Sequence, residues 1–305
     1  MPNSSWLVGR VPKKAPALAP QITVMSGTAD PLKPRRYAAL PVLAYVTVAL
    51  IVDAELFRFL STVGLWGDAT SLWDVHLSNL YGQAMVDLLG VGAFRYSPVI
   101  ALLAAPLHSL PWSVYLWGLI VAQAAAIVAM AGRRAWLIFI FPPVLYELAA
   151  GNIHIFMAAA VVLGFRWPVA WSFLLLTKVT PGVGVLWFAF RREWRSLAIA
   201  LGATVALAVA SALIAPDLWG QWFRALLVMN GLPNPTPWPP VLVRLPFVVG
   251  LIWWAARTDR RWLLPVAAFL ALPTIWANGF ALLAGSIALG SRIPSRPTAG
   301  PREAR

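Results

Sequence analysis

The sequence predicts an all-α membrane protein, a polytopic bundle of transmembrane helices. Three observations predict it. Of 305 residues, 60% are hydrophobic and only 11% charged, with a mean hydropathy of +0.74, whereas soluble domains carry about 25% charged residues. Apolar runs recur from Tyr37 to Ser291, many of them close to the roughly 20 residues that one helical span needs. The runs are continuous rather than alternating, which favours helices over the strands of a barrel. About eight to twelve spans fit these runs, with a juxtamembrane loop on the outer face.

Taken in order, residues 1–36 are polar, basic and proline-rich ("VPKKAPALAP", "PLKPRR") and read as a disordered cytoplasmic tail without the apolar core of a signal peptide. Residues 37–291 form the transmembrane domain. Its first span runs from about Tyr37 to Leu60, and the segment 61–96 after it is too polar to cross. Ser97 to Gly132 is apolar again, interrupted by Pro106 and Pro111. "AWLIFIFPPVLYELAA" (135–150), "GNIHIFMAAAVVLGF" (151–165) and "WPVAWSFLLLTKVTPGVGVLWFAF" (167–190) follow. A clean span covers about Ser196 to Ala215, a Trp- and Pro-rich loop 216–240, and a further span about Val241 to Ala256. The last apolar block, Trp262 to Leu289, contains Pro273 and Asn278 and reads as two short helices. Residues 292–305 are a second basic tail.

The net charge of +13 suggests nucleic acid at first sight, but the cations sit in the tails and in short clusters between apolar runs. That is the positive-inside pattern of a membrane protein, and no nucleic-acid partner is expected. Arg133/Arg134, Arg166, Arg191 to Arg195 and Arg257 to Arg261 belong on the cytoplasmic side with both termini. The outer side then receives 61–96, the 150–152 turn, the neighbourhood of Lys178 and 216–240. With no cysteine, the chain has no disulfide or thiolate chemistry.

Four constellations carry chemistry, and all four fall on that outer side. Asp53, Glu55, Asp68, Asp74 and Asp87 account for five of the 11 acidic residues. An acid at the membrane surface can take a proton from a hydroxyl or hold a metal ion; a large loop also collects charge for no special reason. Arg95, beside Tyr96, can grip a phosphate or simply anchor a helix end at the interface. Glu147, Asn152 and His154 are polar groups in an apolar hairpin, suited to sugar hydroxyls or to helix–helix hydrogen bonds. Lys178 sits in a run with arginines at both ends, so "TKVTPG" is expected to turn at the outer face and offer its ammonium to an anion; snorkelling to the interface is the plainer account. His108, between two prolines, reads as structural.

At these residues the sequence resembles the GT-C superfamily of membrane glycosyltransferases, and within it the glycosyltransferase family 87 type, similar to polyprenyl-phosphate-mannose-dependent alpha-mannosyltransferases. The features that carry the resemblance are "WGDA", "LYG" at Leu80–Gly82, "FRYSPVIALLAAPLHSLP", "GNIHIF" and "LLLTKVTPGVGVLWFAFRREWR", over roughly Ala38 to Ala215. Ser97 stands where the family pattern has the first of two prolines.

The resemblance implies an inverting transfer of a sugar, mannose above all, from a polyprenyl phosphate to a lipid or glycan acceptor. Asp68 is the expected general base, with Asp74 in reserve. Arg95 and Lys178 are expected to bind the donor phosphate, and Tyr96, Glu147, Asn152 and His154 the sugar or acceptor. Trp219, Trp222 and Trp238 suit lipid headgroups or sugar stacking. No cofactor and no metal site is expected, with metal dependence open, and the expected setting is a bacterial plasma membrane. The alternatives are a transporter or flippase for a lipid-linked substrate, whose broken helices would look alike, and a noncatalytic partner in envelope assembly.

Overall fold

The computed structural model describes residues 65–83, 94–231 and 236–290, with scattered helical positions between 43 and 57. The two tails, Glu55 and Asp87 lie outside the described residues, while Asp53 is described and buried. The described elements are α-helices and 3-10 turns, with no strand among them. The α-helices of five or more residues are α1 (Gly67–Trp73), α2 (Pro98–Ala104), α3 (Trp112–Ala131), α4 (Ala135–Phe139), α5 (Pro142–Ala150) and α6 (His154–Gly164), then α7 (Trp171–Thr177), α8 (Leu186–Phe190), α9 (Trp194–Ile214), α10 (Pro216–Gly231), α11 (Val241–Arg257), α12 (Leu263–Leu270) and α13 (Ala284–Gly290).

This is an all-helical membrane protein. Its long helices turn large apolar side chains outward: Trp117 on α3 is 65% exposed, and Leu213 and Ile214 on α9 are 81% and 72% exposed. Water would not tolerate such faces over whole helices, and lipid does. By length and composition two helical stretches can cross a bilayer alone, Trp112–Phe139 and Trp194–Ile214. Three can if α5 and α6, which meet at a 118° bend, count as one. The other apolar blocks are broken, and mostly where the sequence has its breakers. Pro106 starts the 3-10 turn Ala105–Ser109, Pro142 starts α5, and Pro181 lies in the 3-10 segment Thr180–Val185. The last block divides at 271–276, before the 3-10 segment Ala277–Leu283, as its Pro273 and Asn278 predict.

One expectation fails outright. Residues 216–231 are helical, not a loop. Pro216 occupies the first turn and Asp217 favours the positive helix start. Leu218, Trp222 and Ala225 form a buried stripe at i, i+4 and i+7. The tryptophans are consequently packed rather than offered to headgroups or sugar. Trp219 Nε1 donates to Ser211 Oγ at 3.1 Å, Trp222 is 6% exposed, and Trp238 lies 6.2 Å from Phe269.

The breaks are held by close packing. Trp171 is fully buried between Gly164 and Gly184, and a Cβ at either position would come within 2.5 Å of the indole. The basic loops meet at one end of this body. Arg191 donates to Asp259 at 3.1 Å, to the Ala256 carbonyl at 3.1 Å and to Glu193 at 2.8 Å, and Arg261 lies over Phe165. Helix α6 begins at the opposite end, at His154, and reaches this basic end about 16 Å later.

Candidate functional site

The far end of α6 is where the polar side chains gather. Helix α5 ends at Gly151, whose φ of +70° is a left-handed conformation that closes the helix as its N–H donates to the Glu147 carbonyl at 2.9 Å. A Cβ on Gly151 would lie 2.4 Å from the Cβ of Ala69. Helix α1 can therefore rest directly on the turn only because residue 151 is glycine. The seat is fixed by three further bonds. Trp66 N–H donates to the Ala149 carbonyl at 3.0 Å, Tyr115 Oη to the Ala69 carbonyl at 3.1 Å, and Trp73 Nε1 to the Leu110 carbonyl at 3.0 Å.

This seat delivers Asp68 to Asn152. Asn152 Nδ2 donates to Asp68 Oδ2 at 2.6 Å, and Asn278 Nδ2 donates to the same oxygen at 3.1 Å. Asp68 is half-buried, and among the described residues its Oδ1 makes no hydrogen bond. Asn152 is held in turn. Its Oδ1 accepts from the Ile153 N–H at 2.7 Å and from Tyr96 Oη at 3.3 Å, and its carbonyl accepts from Gln123 Nε2 at 2.5 Å. Burial first, then the nearby carboxylates, pushes the Tyr96 phenol well above its ordinary value, so it remains a neutral donor. Tyr81 Oη donates to the Tyr96 carbonyl at 2.7 Å, and Trp222 Nε1 reaches the Arg95 carbonyl at 3.5 Å.

A second chain runs alongside. Glu147 accepts the backbone N–H of His154 through Oε1 and pairs through Oε2 with His154 Nδ1 at 3.0 Å. His154 Nε2 lies 2.7 Å from Lys178 Nζ. An ammonium can only donate, so Nε2 accepts, Nδ1 carries the proton and Glu147 accepts it. Lys178 itself is extended at the break after α7. Asp68, Glu147 and Arg95 all act electrostatically on Lys178, which ties the two chains into one cluster.

The fold thus brings together Asp68, Arg95, Tyr96, Glu147, Asn152, His154 and Lys178, which lie far apart in sequence. Asp74 does not join them: it caps the other end of α1 and contacts His76 and His108 in the open. Glu147 and His154 are 0% and 2% exposed, so they face each other and Lys178 rather than an open surface.

The profile of glycosyltransferase family 87 matches residues 94–291, nearly two-thirds of the chain. The chain belongs to glycosyltransferase family 87. No curated protein and no solved structure matches it. Family 87 membership makes it a membrane glycosyltransferase. The match lies further along the chain than the resemblance of Ala38 to Ala215: it leaves out the segment of Asp68 and takes in Asn278. Of the cluster, every member but Asp68 lies in the family 87 stretch.

Three residues that support the cluster from outside have little signal in the sequence. Gln123 is the one carboxamide of α3 and is fully buried. Asn278 reads as a helix breaker, and only the fold turns its amide to Asp68. Arg244, inside α11, donates to the carbonyls of Pro239 at 2.7 Å, Leu270, Leu272 at 2.7 Å and Pro273 at 3.2 Å. It thereby shapes the 271–276 segment that leads to Asn278.

Proposed function

We propose that this family 87 enzyme transfers a sugar, mannose in the first instance, from a polyprenyl phosphate to a hydroxyl of a lipid or glycan acceptor, with inversion. Asp68 Oδ1 takes the acceptor proton, the acceptor oxygen bonds to the anomeric carbon, and the bond from that carbon to the phosphate oxygen breaks. The departing lipid phosphate keeps the electron pair, and Arg95 with Lys178 balances its charge. Glu147 and His154 act one step back by holding Lys178, and Tyr96 and Asn152 hold Asp68 and border the sugar. In this reading the basic end faces the cytoplasm of a bacterial cell, and the cluster opens to the outer leaflet.

The observation that carries the proposal is the Asp68 carboxylate. Two amides hold one oxygen, the other is left for a hydroxyl, and the Lys178 ammonium lies within electrostatic reach. Positioning and a well-placed base are what this chemistry requires. The test is transfer from radiolabelled polyprenyl-phospho-mannose in membranes. Asp68→Asn keeps the shape and an acceptor oxygen but removes the base, so transfer should fall by about 10²–10⁴-fold. Asp74→Asn should retain transfer. Undiminished transfer by Asp68→Asn would remove the assignment.

A further inference from the structure

We propose that Asp74, His76 and His108 form a binding site for a divalent transition metal ion of the zinc class. Nothing in the transfer reaction calls for these three residues, yet their ligand atoms all lie within 4.8 Å of one another. Asp74 Oδ1 is 3.1 Å from His76 Nε2 and 3.5 Å from His108 Nδ1, and the two imidazole centroids are 4.4 Å apart.

Zinc binds nitrogen and carboxylate oxygen at about 2.0–2.2 Å, so neighbouring ligands in a tetrahedral shell stand about 3.4 Å apart. The two measured separations bracket that value. A hydrogen bond from His76 to Asp74 accounts for one contact. It leaves His108 unexplained: Nδ1 is turned toward the same carboxylate oxygen, shielded from solvent, and has no hydrogen-bond partner among the described residues. Two imidazoles and one carboxylate select zinc-like ions over magnesium or calcium, which prefer all-oxygen shells. With three protein ligands, the fourth position is left to water.

The frame is built before any ion arrives. Trp73 Nε1 donates to the Leu110 carbonyl at 3.0 Å, its ring packs 4.9 Å from His108, and Leu110 N–H closes a turn on Leu107 at 3.0 Å. These contacts join the end of α1 to the turn before α3, so little ordering remains for the ion to impose. Asp74 caps α1 six residues after Asp68, about 9 Å along the helix axis. The ion would therefore clamp the helix that carries the proposed base without touching the reacting atoms.

The chain has three histidines and no cysteine, and both ring nitrogens of His154 are engaged. A His76→Ala/His108→Ala variant thus removes every open imidazole. The experiment titrates zinc chloride into the full chain in detergent, purified on a tag without histidine, against a chromophoric chelator. Wild type should bind about one ion, with affinity lowered roughly hundredfold or more in the double variant. Zinc should raise the unfolding temperature of wild type alone. X-ray absorption of the wild-type complex should show two imidazoles, a result that does not depend on the variant folding. Equal zinc binding by both proteins, or an all-oxygen shell, would overturn the proposal.

Discussion

Gly151→Ala is the sharpest test of how the cluster is assembled. The new Cβ would start 2.4 Å from Ala69 Cβ, where carbon atoms settle at about 3.5–4.0 Å, so α1 and the turn must separate by about 1.1–1.6 Å. The bond between Asn152 and Asp68 is 2.6 Å long, and the same displacement carries it past the roughly 3.2 Å limit of a sound hydrogen bond. The left-handed φ adds about 1–2 kcal/mol for any residue with a Cβ, and overpacking about 1–3 kcal/mol. Together they destabilise the fold by about 2–5 kcal/mol, and a misplacement near 1 Å costs about 100-fold in rate. The assay pairs thermal unfolding in detergent with sugar transfer in membranes. The decisive arm adds Ala69→Gly. This removes the closest atom and leaves only backbone contacts of 3.2 and 3.3 Å, at a helix cost of about 1 kcal/mol. Transfer should recover in the double variant while part of the stability loss persists. Normal transfer and stability in Gly151→Ala would refute the close-packed seat. A double variant no better than the single one would show that the clash with Ala69 is not the cause.

Three other outcomes follow from the same geometry. Asn278→Ala leaves Asp68 with one amide donor, and losing a charge-assisted bond of about 1.5–3 kcal/mol should lower transfer about 10–100-fold and lower the unfolding temperature as well. Arg244→Met strips the donor from a set of buried carbonyls at about 1–3 kcal/mol each; the unfolding temperature should drop, and Arg244→Lys should not restore it, because a point ammonium cannot span the guanidinium fork. The proposed orientation predicts that, in this cysteine-free chain, Thr70→Cys, at an exposed position of α1, reacts with an impermeant maleimide in intact cells. Arg192→Cys should react only after permeabilisation, and the reverse pattern would invert the topology.

What the sequence made legible depended on how local the cause was. The helical class follows from apolar runs, and the breaks at 106, 142, 181 and 273 follow from prolines that cannot continue a helix. Lys178, Arg95 and Asn152 were legible because a polar group amid apolar neighbours demands a reason. The helix at 216–231 was hidden because tryptophan and proline at a membrane face look like a loop, and only the stripe Leu218, Trp222 and Ala225 marks the packed side. Asn278 and Gln123 were hidden for a different reason. Each is one amide in an apolar helix or turn, and its partner lies 210 or 29 residues away, a pairing that no local spacing encodes. The same holds for the pairing of His108 with the Asp-x-His of residues 74–76, which needs the fold to bring two turns together.

The breaks and the cluster are also one physical feature. A helix interrupted inside an apolar body leaves N–H and C=O groups that no water reaches, at several kcal/mol each. In this chain the side chains that meet those groups are the ones proposed to hold the site. At the turn after α5, Asn152 Oδ1 takes the Ile153 N–H, Glu147 takes the His154 N–H, and Gln123 meets the Asn152 carbonyl. At the break after α12, Arg244 takes the carbonyls of Leu270, Leu272 and Pro273. Having satisfied the backbone, Asn152 still has an amide for Asp68, and Glu147 a second oxygen for His154. An uninterrupted helix would leave those side chains without that anchoring and free to rotate. The breaks therefore fix the rotamers around Asp68 and Lys178 before substrate arrives, which is the pre-organisation that the proposed transfer needs. A chain with only 11 acidic residues can build such a site because each polar side chain at a break both closes the backbone and aims its neighbour.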